Sequence, residues 1–217
     1  MLLLNVLVAI YALVMLARHG PRAVVYLAPR TIRIAGEADA QPRSSGQIAT
    51  GELLGSLGFR RLGLRREHSP LRGLDLEVDA WAADDGTCAD AYPAPGRAVA
   101  VAFLTTLGDG FQVGTSNFRR PGVQTAAGRV GGLNGAAPEA VLAAHRKSVE
   151  ALSASHGAPR PVADLGARVE AARRYYSGIG AAELRRPALM SLLNAAIALA
   201  LFGWSVRLAL RNLGYLP

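Results

Sequence analysis

The chain is poor in the residues that most often announce chemistry. Cys88 is its only cysteine, which excludes an internal disulfide framework and a zinc site built from paired thiolates. Its four histidines (His19, His68, His145 and His156) are scattered, and no HExxH pair brings two of them to one helix face. The G-x-S-x-G elbow of a serine hydrolase is missing, as are the phosphate-binding loop and the dinucleotide fingerprint. The expectation from these absences is no cofactor, no metal and no assigned catalytic residue, hence a binding role ahead of an enzymatic one. Lysine is almost missing too: Lys147 is the only one, so nearly all the positive charge is arginine. That substitution is the habit of GC-rich bacterial genomes.

Charge is what the chain has in excess, with a formal net value of +8 over 217 residues. A basic chain raises the question of nucleic acid. Here the arginines are spread out and many flank the apolar ends, where arginine fixes orientation or meets anionic headgroups. No nucleic-acid partner is expected. The partners expected are the lipid bilayer and a protein, or a second copy of the chain held through membrane helices.

Long apolar runs stand at both ends. Pro187 to Val206 is uncharged and long enough to cross a hydrocarbon core of about 30 Å as a helix, between Arg185–Arg186 and Arg207–Arg211. Leu2 to Ala17 is apolar apart from Asn5. It lacks the preceding basic segment and the small-residue cleavage site of a signal peptide, so it reads as an uncleaved membrane helix. Pro21 and Pro29 bracket the short patch AVVYLA, and a helix running through them is not expected. Arginines crowd the inner ends of both runs: Arg18, Arg22, Arg30 and Arg33 after the first, Arg173, Arg174, Arg185 and Arg186 before the second. By the positive-inside rule the middle of the chain is cytoplasmic and both termini lie across a bacterial inner membrane. Asn5 and Asn194 are the amide side chains within the runs, and counting from the inner ends puts both near mid-depth, as candidates for an interhelical contact.

Between the runs the pattern is that of a water-soluble domain. GELLGSL (51–57) is a short helical candidate. FRRLGLRRE (59–67) and LDLEVDAWAA (74–83) read as strands, the second alternating strictly, with Leu74, Leu76 and Val78 on one side and Asp75, Glu77 and Asp79 on a solvated other side. Arg61 and Arg65 are the natural cross-strand partners for those carboxylates. Asp84-Asp85-Gly86 and Gly108-Asp109-Gly110 each join two strand-like runs as hairpin turns. Residues 119–135 read as a glycine-rich loop. Pro138 opens a helix to about Ser155 with Val141, His145, Val149 and Leu152 on its apolar stripe. VADLGARVEAARRYY (162–176) is a second helix, with Leu165, Val169 and Tyr176 inward and Arg168, Arg173 and Arg174 outward.

The expected fold is α+β: an antiparallel meander of about five strands with one or two packed helices, flanked by N- and C-terminal transmembrane helices. The expected segments are a membrane helix over 1–20, an interfacial segment and linker over 21–48, the soluble domain over 49–157, an amphipathic connecting helix over 158–186 and a membrane helix over 187–210. One polar cluster is a candidate site: His145 as a base beside the hydroxyls of Thr105, Thr106 and Ser116, should the fold bring them together. The function expected is that of a membrane-tethered binding or accessory protein. The alternatives are a membrane-bound enzyme, or a lipid- or small-ligand-binding protein with a pocket between sheet and helix, acting on envelope components.

Overall fold

The computed structural model describes residues 2–69, 75–95 and 98–215. Leu74, at the start of the alternating strand, and Gly96, in the break that follows Pro93, lie outside the described residues. The chain divides into two compact units, Arg30–Glu183 and the pair Met1–Pro29 with Leu184–Pro217.

The first unit is built on an eight-stranded mixed sheet in the order β1-β2-β3-β4-β5-β6-β8-β7. Its strands are β1 (Arg33–Glu37), β2 (Arg60–His68), β3 (Leu76–Ala82), β4 (Cys88–Ala91), β5 (Val101–Thr106), β6 (Gln112–Ser116), β7 (Val123–Thr125) and β8 (Gly128–Gly132). β1 to β6 form an antiparallel meander. Two of its hairpins are closed by the same device. After β3, Ala83 N–H donates to Thr87 O at 2.8 Å, Asp85 accepts from Thr87 N–H at 2.9 Å, and Gly86 takes φ +82°. After β5, Leu107 N–H donates to Phe111 O at 2.8 Å, Asp109 accepts from Phe111 N–H at 2.8 Å, and Gly110 takes φ +98°. The Asp side chain stands in for a backbone acceptor and the Gly supplies the left-handed turn residue.

The sheet is larger than the five strands expected, and not wholly antiparallel. The expected linker contains β1, paired with β2 from Arg33↔His68 to Glu37↔Leu64. The expected glycine-rich loop contains β7 and β8, and β8 runs parallel to β6 from Gln112↔Gly128 to Ser116↔Gly132. Glycine is needed in β8 for contact, not for looseness. A Cβ on Gly128 would lie 2.4 Å from Gln112 O, and one on Gly132 would lie 2.3 Å from Phe118 O. Isolated glycines in a strand mark such close approach.

Three helices sandwich this sheet. α2 (Ser45–Ser56) and α3 (Pro138–His156) cover one face and α4 (Leu165–Ser177) the other. Cross-strand partners share a face, so Trp81, Ala89, Phe103 and Thr115 lie on the side of α2 and α3, and Ala80, Asp90 and Ala102 on the side of α4. On the first side Leu54, Phe59, Val101, Phe103, Val141 and Leu142 make the main core, continued by Leu107, Phe111, Val113 and Val149. On the second, Ile34, Leu62, Ala82, Leu165, Val169 and Ala172 pack together. Phe103, Val113, Val141 and Val149 fill the space between the middle of the sheet and α3.

The second unit is helical. α1 (Leu2–Leu27) runs straight through Pro21, where a break was expected. Proline deprives the helix of one N–H bond, and burial of Ala23 and Val25 keeps the following turn in place. α5 (Ile179–Asn212) begins within the sheet unit, passes through Pro187 and continues into the helical unit. Both are long and apolar enough to cross a membrane by length and composition. α5 buries Ala188, Ser191, Ala195, Ala198 and Ser205, a seam of small residues three, four or seven apart on one helix face. Asn5 is buried. Asn194 lines a small cavity with Tyr11, Ala12 and Met15 of α1.

Candidate functional site

The apolar stripe of α3 carries His145 into the sheet, where it is fully buried. Its Nε2 lies 2.9 Å from Thr105 Oγ1 and its Nδ1 3.1 Å from Thr115 Oγ1. Each ring nitrogen therefore has a hydroxyl partner, one donating and one accepting. Burial pushes the imidazole pKa down to about 4, so the ring is neutral at pH 7. Phe103 packs beside it, with ring centroids 6.0 Å apart. Of the expected cluster, His145 and Thr105 come together and Thr115 joins them. Thr106 and Ser116 do not: neighbours along a strand alternate faces, and both point to the α4 side, where Ser116 Oγ donates to Phe118 O at 3.2 Å.

Thr105 is as buried as His145, so this pair has no open path for a substrate. Thr115 alone reaches the wall of a groove of about 430 Å3 between α3 and the β7–β8 edge, lined also by Gln124, Arg129 and Ser148. Chemically, a neutral histidine held by two hydroxyls and closed over by Phe103 is a satisfied polar group in a core, which is what burial demands of it.

The opposite face holds a denser polar network that the sequence reading placed elsewhere. Arg65, Glu67, Asp90 and Arg168 are all buried between the sheet and α4. Arg65 donates through Nη1 to Glu67 and through Nη2 to Asp90 Oδ2 at 2.8 Å. Arg168 donates through Nε to Asp90 Oδ1 at 3.1 Å and through Nη2 to Asp90 Oδ2. The Tyr176 hydroxyl donates to Glu67. Two guanidiniums face two carboxylates, so the network is neutral overall. Burial alone pushes the Asp90 carboxyl up, but Arg168 and Arg65 outweigh it and hold Asp90 below the ordinary carboxylate value. Burial likewise pulls Arg65 down, and Asp90 with Glu67 reverses the sign and raises it. Arg65 Nε and Arg168 Nη1 are buried without a partner among the described residues. Beside this network Arg120 clamps Glu183, from Nε to Oε1 at 2.6 Å and from Nη2 to Oε2 at 2.8 Å, and Nη2 reaches the Tyr175 hydroxyl at 2.7 Å.

A signal for this network was present. Leu165, Arg168, Val169 and Ala172 fall at helical spacing on the buried side of α4, so Arg168 belongs to the stripe and not to the outer face expected for it. The strand carboxylates also differ from the solvated row expected. Asp79 is buried, accepts from Arg61 Nε at 2.8 Å and from Trp81 Nε1 at 2.7 Å, and burial raises its pKa against both partners. Glu77 pairs with Arg66 at 3.1 Å, and only Asp75 is open to solvent. Arg61 is a cross-strand partner as expected, whereas Arg65 is not. The register shifts between Arg61 and Gly63, so the two arginines face opposite sides of the sheet.

Among the described residues no group of three or more His, Cys, Asp and Glu side chains gathers to hold a metal ion. Cys88 is buried and its thiol is pushed up to about 11 by that burial, which keeps it unreactive. Compared with family models, with curated proteins and with solved structures, the chain matches none of them.

Proposed function

We propose that the chain is a membrane protein whose α1 and α5 cross the bilayer and tether the sheet unit at its surface as a binding or accessory module. One observation carries this reading. Among the described residues, the exposed large apolar side chains other than Ile48 and Leu133 all fall between Leu3 and Leu27 or between Leu189 and Tyr215. So much apolar surface on two helices is unsustainable in water and is the normal outside of a helix in lipid. The arginines at the inner ends of both helices favour a cytoplasmic domain. A binding role is favoured over an enzymatic one because the histidine–hydroxyl pair of His145 and Thr105 is closed off in the core. The small-residue seam of α5 suits close helix contact, either within the chain or with a second copy.

The test has two steps. Alkaline carbonate extraction of membranes should leave the full chain in the pellet, and release into the supernatant would end the proposal. The side is then read with one exposed thiol, Lys147→Cys in a Cys88→Ala background. Labelling by an impermeant maleimide only after permeabilisation is the expected result, and labelling of intact cells would reverse the orientation.

A further inference from the structure

A groove of about 640 Å3 lies between the chain that follows α1 and the last turns of α4, with Arg30 and Arg33 on one wall and Arg173, Arg174, Glu170 and Ser177 on the other. Two bonds hold its shape. Arg173 Nη2 donates to Ile34 O at 3.0 Å, and Arg30 Nη2 reaches Ser177 O at 3.5 Å. The charge is unbalanced. Glu170, 3.7 Å from Arg173 and 4.0 Å from Arg174, is the only carboxylate on the walls among the described residues. Four guanidiniums against one carboxylate leave three positive charges. Arg33 makes no side-chain hydrogen bond or ion pair with any described residue.

Elsewhere in the sheet unit Arg61, Arg65, Arg66, Arg120, Arg146 and Arg168 each pair with a carboxylate, and Arg60 and Arg160 donate to backbone carbonyls. The groove's place in the chain is also telling. Arg30 comes just after Leu27, the end of α1, and Ser177 just before Ile179, the start of α5. If the two helices are in lipid, chain continuity alone keeps these walls near the headgroups.

We infer that this groove binds the phosphate of an anionic lipid headgroup, best a phosphomonoester, with Arg33 as its unshared donor and Arg174, held by Glu170 only at 4.0 Å, as the second. The inference rests on the membrane reading above. The chemistry is that of guanidinium and phosphate: a planar fork of N–H donors matches two phosphate oxygens at once. A zwitterionic headgroup brings its own cation, which the net positive charge of the walls repels. The same phosphate chemistry in solution would be offered by inorganic phosphate, and the test separates the two.

The full chain in a non-ionic detergent is titrated with dihexanoyl phosphatidic acid, dihexanoyl phosphatidylcholine or inorganic phosphate, and binding is followed by calorimetry. Phosphatidic acid should bind, and Arg33→Gln should weaken it about fivefold, the worth of one basic residue near an anionic surface. Arg33→Lys should keep most of the affinity, and Arg174→Gln should weaken it as Arg33→Gln does. Because Arg33 is exposed and unbonded, its loss leaves the fold intact, which an unchanged melting temperature verifies. Equal binding of phosphatidylcholine, an unaffected Arg33→Gln protein, or inorganic phosphate binding as tightly as the lipid would each overturn the assignment. Carbonate extraction is a separate readout: a chain that is extracted but still binds phosphatidic acid refutes the anchor, and one that stays in the pellet without binding refutes only the groove.

Discussion

The two faces of the sheet bury polar groups by opposite means. Under α3, one neutral imidazole is satisfied by two hydroxyls and surrounded by Phe103, Val141 and Val149. Under α4, two arginines and two acids are buried together with a tyrosine. The first arrangement avoids charge by letting the histidine lose its proton. The second keeps its charges and must keep all of them, since each ion's desolvation is offset only by its neighbours. The first face should therefore fail when the pH falls below the ordinary histidine range, the second when any single partner is removed.

The largest expected effect breaks the charged face. Asp90→Asn leaves Arg65 and Arg168 buried without their shared counter-charge. We expect a loss of about 3–5 kcal/mol in denaturant unfolding of the full chain in detergent, followed by Trp81 fluorescence. A loss under 1 kcal/mol would mean that water already shields the two guanidiniums.

Titration gives the next effect and separates the faces. His145 has a folded pKa of about 4 against an ordinary 6.5. Above pH 6.5 it is neutral in both states and costs nothing. As pH falls from 6.5 to 4 the unfolded chain takes up a proton that the folded one refuses, so stability drops by about 3 kcal/mol. Asp90 has the carboxylate sign: its contribution is present above the ordinary carboxylate value and fades as pH falls through its depressed folded value. Stability should therefore decline in two stages, and His145→Gln should flatten the first while leaving the second. A protein whose stability is constant from pH 6.5 to 4.5 would contradict the buried, neutral ring.

A smaller change tests the parallel edge that both faces share. Gly128→Ala sets a methyl against Gln112 O and should cost about 1–3 kcal/mol through backbone displacement, read as faster amide exchange in β7 and β8 with β2 and β3 unchanged. The smallest is Asp164→Ala, which removes the side-chain cap accepting from Ala167 N–H at 2.8 Å. About 1 kcal/mol is expected, and it should fall on the α4 face alone.

How much of this could be read without coordinates follows from how local each feature is. The two hairpin turns were legible because their Asp and Gly act within four residues. α3 was legible because Pro138 and a 3.6-residue stripe are properties of one segment. His145 beside Thr105 needs α3 and the sheet to converge, which no spacing within one segment encodes, and Thr106 and Ser116 turn away because neighbours along a strand alternate faces. The place of Arg65 has a subtler cause. Period-two counting puts Arg61 and Arg65 on one side, and the register shift at Gly63, a relation between two strands, undoes it.

By itself the sequence determined the two long apolar helices, the arginines beside them, the meander with its turns and the α+β class, since all of these follow from patterns within single stretches of chain. Only the tertiary structure decided that glycines 128 and 132 lie in a parallel strand against β6 and that Arg65, Glu67, Asp90 and Arg168 close into one buried network. Those depend on cross-strand register and on which helix covers which face. Such relations are set by the packing of segments far apart in the chain, and no single stretch carries them.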